Sequence, residues 1–353
     1  MIADLSGLKD AIVRSRASRQ SLRIRGGGTK DFYGETLQGH VLETRGLAGI
    51  IDYEPTELVI TARAGTLLKD VEDVLASHHQ MLGFEPPRFN GRATLGGTVA
   101  AASSGPRRAY CGAVRDFILG LRMLDGRGED LRFGGRVMKN VAGFDVSRLM
   151  AGSLGTLGLF TEITLKTLPR PPAEATLRLE LDQPRALACM NQWAARPLPL
   201  SATAWHEGLL YVRLSGADAA VRAARRALGG EWISDAGTFW DDLREHRIAP
   251  LNTAEFLWRV SVPSTAPALP LAGPSWIEWG GALRWVPGPQ NIEALRSLVA
   301  GLGGHVTAYR CPQKPREGVF HSLAPGLAAL HRRLKAVFDP EQIFNRGRLY
   351  PDM

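Results

Sequence analysis

The alternation of apolar and polar positions divides the chain into two textures. From Leu5 to about Arg16 the pattern reads as a helix, and a strand at Ser21–Arg25 runs straight into Gly26-Gly27-Gly28. A second strand, Leu58–Ala62, ends at Gly65. Thr66 is then the expected cap of a helix whose apolar positions Leu67, Val71, Val74 and Leu75 share one face, with Gly83 placed to end it. Strands are expected at Phe117–Leu124 and Thr161–Leu168, the first closed by a turn at Asp125-Gly126 and Arg127-Gly128. Pro169-Arg170-Pro171-Pro172 breaks regular structure and marks a domain boundary.

Beyond it the pattern reads strand (Ala175–Leu181), helix (Arg185–Ala195), hairpin (Ala202–His206 with Leu209–Leu214) and helix (Ala217–Leu228). Strands near Phe256–Val262, Trp276–Trp279 and Ala282–Val286 and a helix at Ile292–Leu302 follow, with a loop at Ser264–Pro274. That alternation suits a compact α+β module, a doubled ferredoxin-like unit among the options. All eight Trp residues fall between Trp193 and Trp285, where they fill a core or subunit contact or line a pocket. The tail from His331 begins as an amphipathic helix and ends in a turn-rich Phe344-Asn345-Arg346-Gly347-Arg348, which predicts docking onto another part of the fold.

Three glycine-rich stretches adjoin strands in the first half: Arg25-Gly26-Gly27-Gly28-Thr29, Thr94-Leu95-Gly96-Gly97-Thr98 and Gly152-Ser153-Leu154-Gly155-Thr156-Leu157-Gly158. Glycine permits positive φ and lets a phosphate approach the main chain, so three such loops point to one large anionic ligand. The first lacks the third glycine and the later acidic residue of the dinucleotide fingerprint, and no Gly-Lys-Ser/Thr follows it. The second opens the small-residue run Val99–Gly105, including Ser104 and Gly105, which suits either close contact with a flat ligand or a tightly packed helix.

Composition narrows the picture. No apolar run approaches the length of a membrane span, and the N-terminus lacks a signal-peptide layout, so a soluble cytoplasmic protein is expected. Cys111, Cys189 and Cys311 offer no metal-ligand spacing and no disulfide framework, so an iron–sulfur cluster or other metal on this chain is not expected. The net charge of +8 is dispersed, which argues against nucleic acid. Seven of the 43 basic residues are Lys, and this Arg excess fits carboxylate or phosphate pairing or genomic composition.

The glycine loops together with Gly112 and Asp116, the segment Lys139-Asn140-Val141-Ala142-Gly143-Phe144-Asp145 and the tail Asn345-Arg346-Gly347-Arg348 resemble the FAD-binding domain of the vanillyl-alcohol oxidase flavoprotein superfamily. The similarity covers residues 5–170 and the tail, and falls in the branch containing D-lactate dehydrogenase and glycolate oxidase, with most likeness to FAD-binding subunits of glycolate oxidase. It implies an α+β, PCMH-type two-subdomain fold over residues 1–170, an α/β ferredoxin-like cap over 173–320 and a tail, 321–353, returning to the FAD domain. It further implies a FAD-dependent oxidoreductase that takes glycolate to glyoxylate beside a larger FAD-containing subunit and an iron–sulfur subunit, in the cytoplasm or peripheral to the inner membrane. A self-sufficient D-2-hydroxy-acid dehydrogenase and a scaffold with a vestigial flavin site are the alternatives.

By the same resemblance, Gly26, Gly27, Gly28, Thr29, Gly96 and Gly97 hold the pyrophosphate with main-chain N–H groups, and Arg25, Thr94, Leu95, Ser104 and Gly105 are further cofactor-binding candidates. Gly112 and Asp116 border the flavin and ribitol, and Gly155, Thr156, Gly158 and Leu159 approach the adenosine half. Lys139, Asn140 and Gly143 touch flavin or position the strands beneath it, and Asn345 and Arg348 contribute from the tail. Tethered relatives carry His after the glycine triplet; Thr29 stands there, so the FAD is expected to be noncovalent, and Cys111 reads as a buried thiol. Relatives that oxidise hydroxy acids carry a His-x-Gly-x-Gly-Asn-x-His motif that this chain lacks, and no catalytic base is assigned. Arg259, Arg284 and Arg310 are candidates either for a carboxylate clamp or for structural pairing.

Overall fold

The computed structural model describes residues 4–137, 144–271 and 273–353. The chain forms two compact units: Met1–Ser103, Ala113–Pro169 and Ser322–Met353 make the first, and Ser104–Gly112 with Arg170–His321 make the second. Among the described residues no helix is long and apolar enough to cross a membrane.

In the first unit, the helix Leu5–Ser18 starts because the Asp4 carboxylate accepts from Gly7 N at 2.8 Å. It buries Leu8, Ala11, Ile12 and Ser15, one face at helical spacing. That face packs with Leu22, Leu42, Leu124, Leu159, Ile343 and Phe344. A parallel pair, Leu22–Arg25 with His40–Glu43, is extended by the tail through Leu22 N to Ile343 O (2.6 Å) and Asn345 N to Leu22 O (2.8 Å). A five-stranded antiparallel sheet runs in the order Ile50–Glu54, Val59–Arg63, Leu159–Lys166, Ile118–Leu124, Asp130–Gly134. Leu159–Lys166 is buried at almost every position, as a strand covered on both faces should be.

Two expectations are corrected here. Thr66 does not cap the following helix; its hydroxyl accepts from Gly49 N at 2.9 Å, and the helix runs Leu68–Ser77 behind Leu67 without a side-chain cap. Gly83 does not end that helix either. It lies beyond His78, and a Cβ there would come 2.9 Å from the Phe117 ring, so packing explains the glycine.

The returning helix spans Pro325–Phe338, beginning earlier than its apolar pattern suggests. Its anchor is a buried ion pair. Lys335 Nζ donates to Asp339 Oδ2 (2.7 Å), Thr156 O (2.7 Å) and Phe344 O (2.8 Å), while Asp339 accepts from Ile343 N (3.0 Å) and Phe344 N (2.8 Å).

The second unit is one eight-stranded antiparallel sheet built from two repeats. The first has strands Ala173–Glu180, Leu200–His206, Leu209–Gly216 and Glu231–Ile233 with helices Gln183–Ala194 and Asp218–Leu228, in the spatial order fourth, first, third, second. The second has strands Leu257–Ser261, Trp276–Glu278, Leu283–Pro287 and His305–Arg310 with the helix Ile292–Ala300, and shows the same order reversed. The repeats join second strand to second strand, Ala204 opposite Glu278 and Trp205 opposite Ile277. The unit is thus a doubled ferredoxin-like sheet in which the second repeat has no counterpart of the first helix among the described residues. Arg310 donates to Leu251 O (3.0 Å) and Ala254 O (3.2 Å), a structural role.

Along one face of this sheet, Glu278 is fully buried and accepts from Trp285 Nε1 at 2.8 Å. Burial pushes its carboxyl up to about 7, against the opposing pulls of the Trp285 hydrogen bond and of Arg259.

Replacing Lys335 with Met leaves the Asp339 carboxylate buried and unpaired, so stability in urea should fall by about 3–5 kcal/mol. Glu278 holds its proton more tightly folded than unfolded. Its contribution is therefore present in full below pH 4.5 and is lost as pH rises from there to about 7, a fall of roughly 3 kcal/mol. Urea unfolding of Glu278→Gln across that window should show the pH slope reduced by this amount.

Candidate functional site

A solvent-open cleft lies within the first unit. Its lining includes Arg25, Gly26, Gly27, Gly28, Thr29, Thr94, Gly96, Gly97, Gly155, Gly158, Asn345 and Arg348, so all three glycine loops and the tail meet there. Leu154 of the third stretch and Ala100 and Ala101 of the small-residue run also line it, as do Ile24, Lys30, Asp31, Thr44, Ala64 and Phe160, which carry no motif of their own.

The first loop has the chemistry of an anion cradle. The N–H groups of Gly27, Gly28 and Thr29 have no hydrogen-bond partner among the described residues. Arg25, Lys30 and Arg348 bring three cations to the lining, and Asp31 brings one carboxylate, held by Arg25 at 2.9 Å and Arg23 at 2.7 Å. The loop is kept bare by close packing. A Cβ on Gly27 would overlap the Arg92 carbonyl, and one on Gly26 would overlap the Thr94 hydroxyl.

The second loop behaves differently. Leu95 N donates to Thr66 O (2.9 Å), Gly96 N to Ala64 O (2.7 Å) and Gly97 N to the Thr94 hydroxyl (3.2 Å). These amides are consumed inside the chain. Gly96 reaches the cavity because its missing side chain lets the backbone sit against Ala64, whose Cβ would lie 2.8 Å from an added Cβ.

The tail fastens these pieces. Asn345 accepts from Ile24 N (2.8 Å) through Oδ1 and donates to Leu154 O (2.5 Å) through Nδ2. Arg348 donates to Lys30 O (2.8 Å) and Tyr33 O (3.3 Å), while its buried Nε has no partner among the described residues. Burial lowers the Arg348 guanidinium to about 10, still charged at neutral pH.

Other sequence candidates fall elsewhere. Leu95 and Leu159 are core residues, and Thr156 turns its hydroxyl to Ser153 O at 2.7 Å. Asp116 accepts from Ala113 N at 2.8 Å and shapes the turn before Phe117. Ser104, Gly105 and Gly112 belong to the second unit, where Gly105 O accepts from Trp279 Nε1 at 3.0 Å. Cys111 is half-buried rather than buried, and its Sγ lies 3.3 Å from Arg107 O as a hydrogen-bonded thiol. Lys139, Asn140 and Gly143 lie outside the described residues.

Unpaired backbone donors, a cationic lining and a glycine-bared floor fit the diphosphate of a dinucleotide. The FAD-binding domain family matches residues 3–134, and the cofactor of this flavoprotein oxidoreductase is FAD. The chain is 43% identical over 346 residues to the glycolate oxidase subunit GlcE of Escherichia coli (strain K12), covering 98% of this chain and 97% of that protein. It belongs to the GlcE family. The glycolate oxidase subunit GlcD of Bacillus subtilis (strain 168) is 34% identical over 186 residues, 48% of this chain and 39% of that protein. A solved structure of alkyldihydroxyacetonephosphate synthase shares the fold, with a TM-score of 0.67 at 15% identity over 97% of this chain and 75% of that one.

Substituting Gly27 with Ala should displace the loop from Arg92 and cost at least one charge-assisted hydrogen bond, weakening FAD by about 10–100-fold. Gly135→Ala, where an added Cβ meets nothing within 4 Å, should leave affinity unchanged. Flavin fluorescence titration of the apoprotein measures both.

Proposed function

We propose that this chain is the FAD-binding subunit of a glycolate oxidase, taking part in the oxidation of glycolate to glyoxylate. The observation that carries the reading is the near end-to-end likeness to the Escherichia coli glycolate oxidase subunit. The first unit acts as the FAD domain and the second as the cap. The free amides of Gly27, Gly28 and Thr29 hold the diphosphate, with Arg25 and Arg348 balancing its charge, and the Gly155 and Gly158 loop flanks the adenosine half. Bound noncovalently, FAD supplies the hydride acceptor. The chain works beside a larger FAD-containing subunit and an iron–sulfur subunit, in the cytoplasm or on the inner membrane through that complex.

Anaerobic addition of glycolate to the purified FAD-loaded chain is the direct test. The visible flavin bands should persist with this chain alone and bleach once the larger subunit is added. Bleaching of the isolated chain by glycolate or D-lactate would instead establish a self-sufficient dehydrogenase, and a chain that takes up no FAD would leave a scaffold.

A further inference from the structure

In the second repeat of the second unit, the segment joining Leu257–Ser261 to Trp276–Glu278 forms no helix among the described residues, whereas the first repeat places Gln183–Ala194 at the equivalent position. A cavity of about 400 Å³ adjoins this segment. Its walls include the apolar side chains of Trp205, Leu269, Leu271 and Val286. Arg284, on the same sheet face as Val286, also lines it.

Arg284 is 2% exposed, and no acidic group stands within ion-pair distance of it among the described residues. Its guanidinium donates to three carbonyls: Pro267 (2.5 Å), Ala266 (2.7 Å) and Gly281 (3.3 Å). Burial alone lowers it, to about 10, so it is charged at neutral pH. Three carbonyl dipoles use three of five N–H donors and supply no counter-charge. A buried cation left this way normally faces an anion, and here it faces a largely apolar cavity.

We propose that this cavity is a binding site for a monocarboxylate with an apolar tail, its carboxylate on Arg284 and its tail against Trp205, Leu269 and Val286. The site lies wholly within the second unit and is independent of the glycolate oxidase reading. Glu207 also lines the cavity, but its side chain is 67% exposed and belongs to the solvent rim, where it opposes entry of an anion.

Calorimetric titration of the FAD-saturated protein with octanoate, and with octan-1-ol as a neutral probe of equal chain length, tests this. Octanoate should bind one site per chain at least tenfold more tightly than octan-1-ol. Glu207→Lys, an exposed change, should tighten octanoate about threefold, and Leu271→Trp should abolish its binding while the flavin spectrum is retained. Equal affinity for the two probes, no binding of either, or an octanoate affinity indifferent to Glu207→Lys would overturn the proposal. So would octanoate binding that persists in a flavin-loaded Leu271→Trp protein.

Discussion

One side-chain amide holds the cofactor cavity together. Asn345 bridges Ile24 N and Leu154 O, two backbone groups 130 positions apart in sequence, and its own N–H pairs with Leu22. The strand leading into the first glycine loop, the loop before Gly155 and the tail are thereby fixed in one arrangement. Gly155 follows from the same contact: it sits at φ +72°, and a Cβ there would lie 2.7 Å from Asn345 Nδ2. The amide can serve as this joint only because the tail is itself pinned, by Lys335 and Asp339 in a pair that satisfies the carbonyls and amides on either side of the final turn. Breaking such a pair is costly because the surviving charge stays buried.

Much of this was legible in the chain. The glycine stretches and the Asn-Arg-Gly-Arg ending are local signals, since each reflects a backbone conformation or a short turn. The alternation in the second half pointed to a compact α+β module with a doubled ferredoxin-like sheet as one option, and the strand order selects that option. Lys335 and Asp339 were not legible, because a Lys and an Asp four apart on an amphipathic helix look like any solvated pair; burial is a tertiary fact. Edge strands were missed for a related reason. Asp130–Gly134 and His40–Glu43 are half exposed and rich in polar residues, so their identity comes from partners rather than composition.

The second unit shows where repetition stops helping. The first repeat has a helix after its first strand, whereas after Leu257–Ser261 the expected loop is found among the described residues, and Val262, Ala266 and Leu269 enter the core from it. Backbone carbonyls in such a segment need donors that a helix would provide internally. Arg284 provides them at Ala266 and Pro267, as Arg310 does at Leu251 and Ala254, while the Arg284 charge itself stays without a counter-ion among the described residues.

Glycine in a cofactor motif therefore has two distinct physical meanings here. At Gly27 and Gly28 it leaves amides exposed that nothing else in the described chain accepts from, and the loop can solvate a phosphate as water would. At Gly96 it allows one backbone to rest on another, while the amide itself is already bonded to Ala64. Sequence pattern cannot separate these cases, because both require the absence of a side chain. The hydrogen-bond partners separate them: a loop whose donors are satisfied internally shapes the cavity wall, and a loop whose donors are free supplies its affinity.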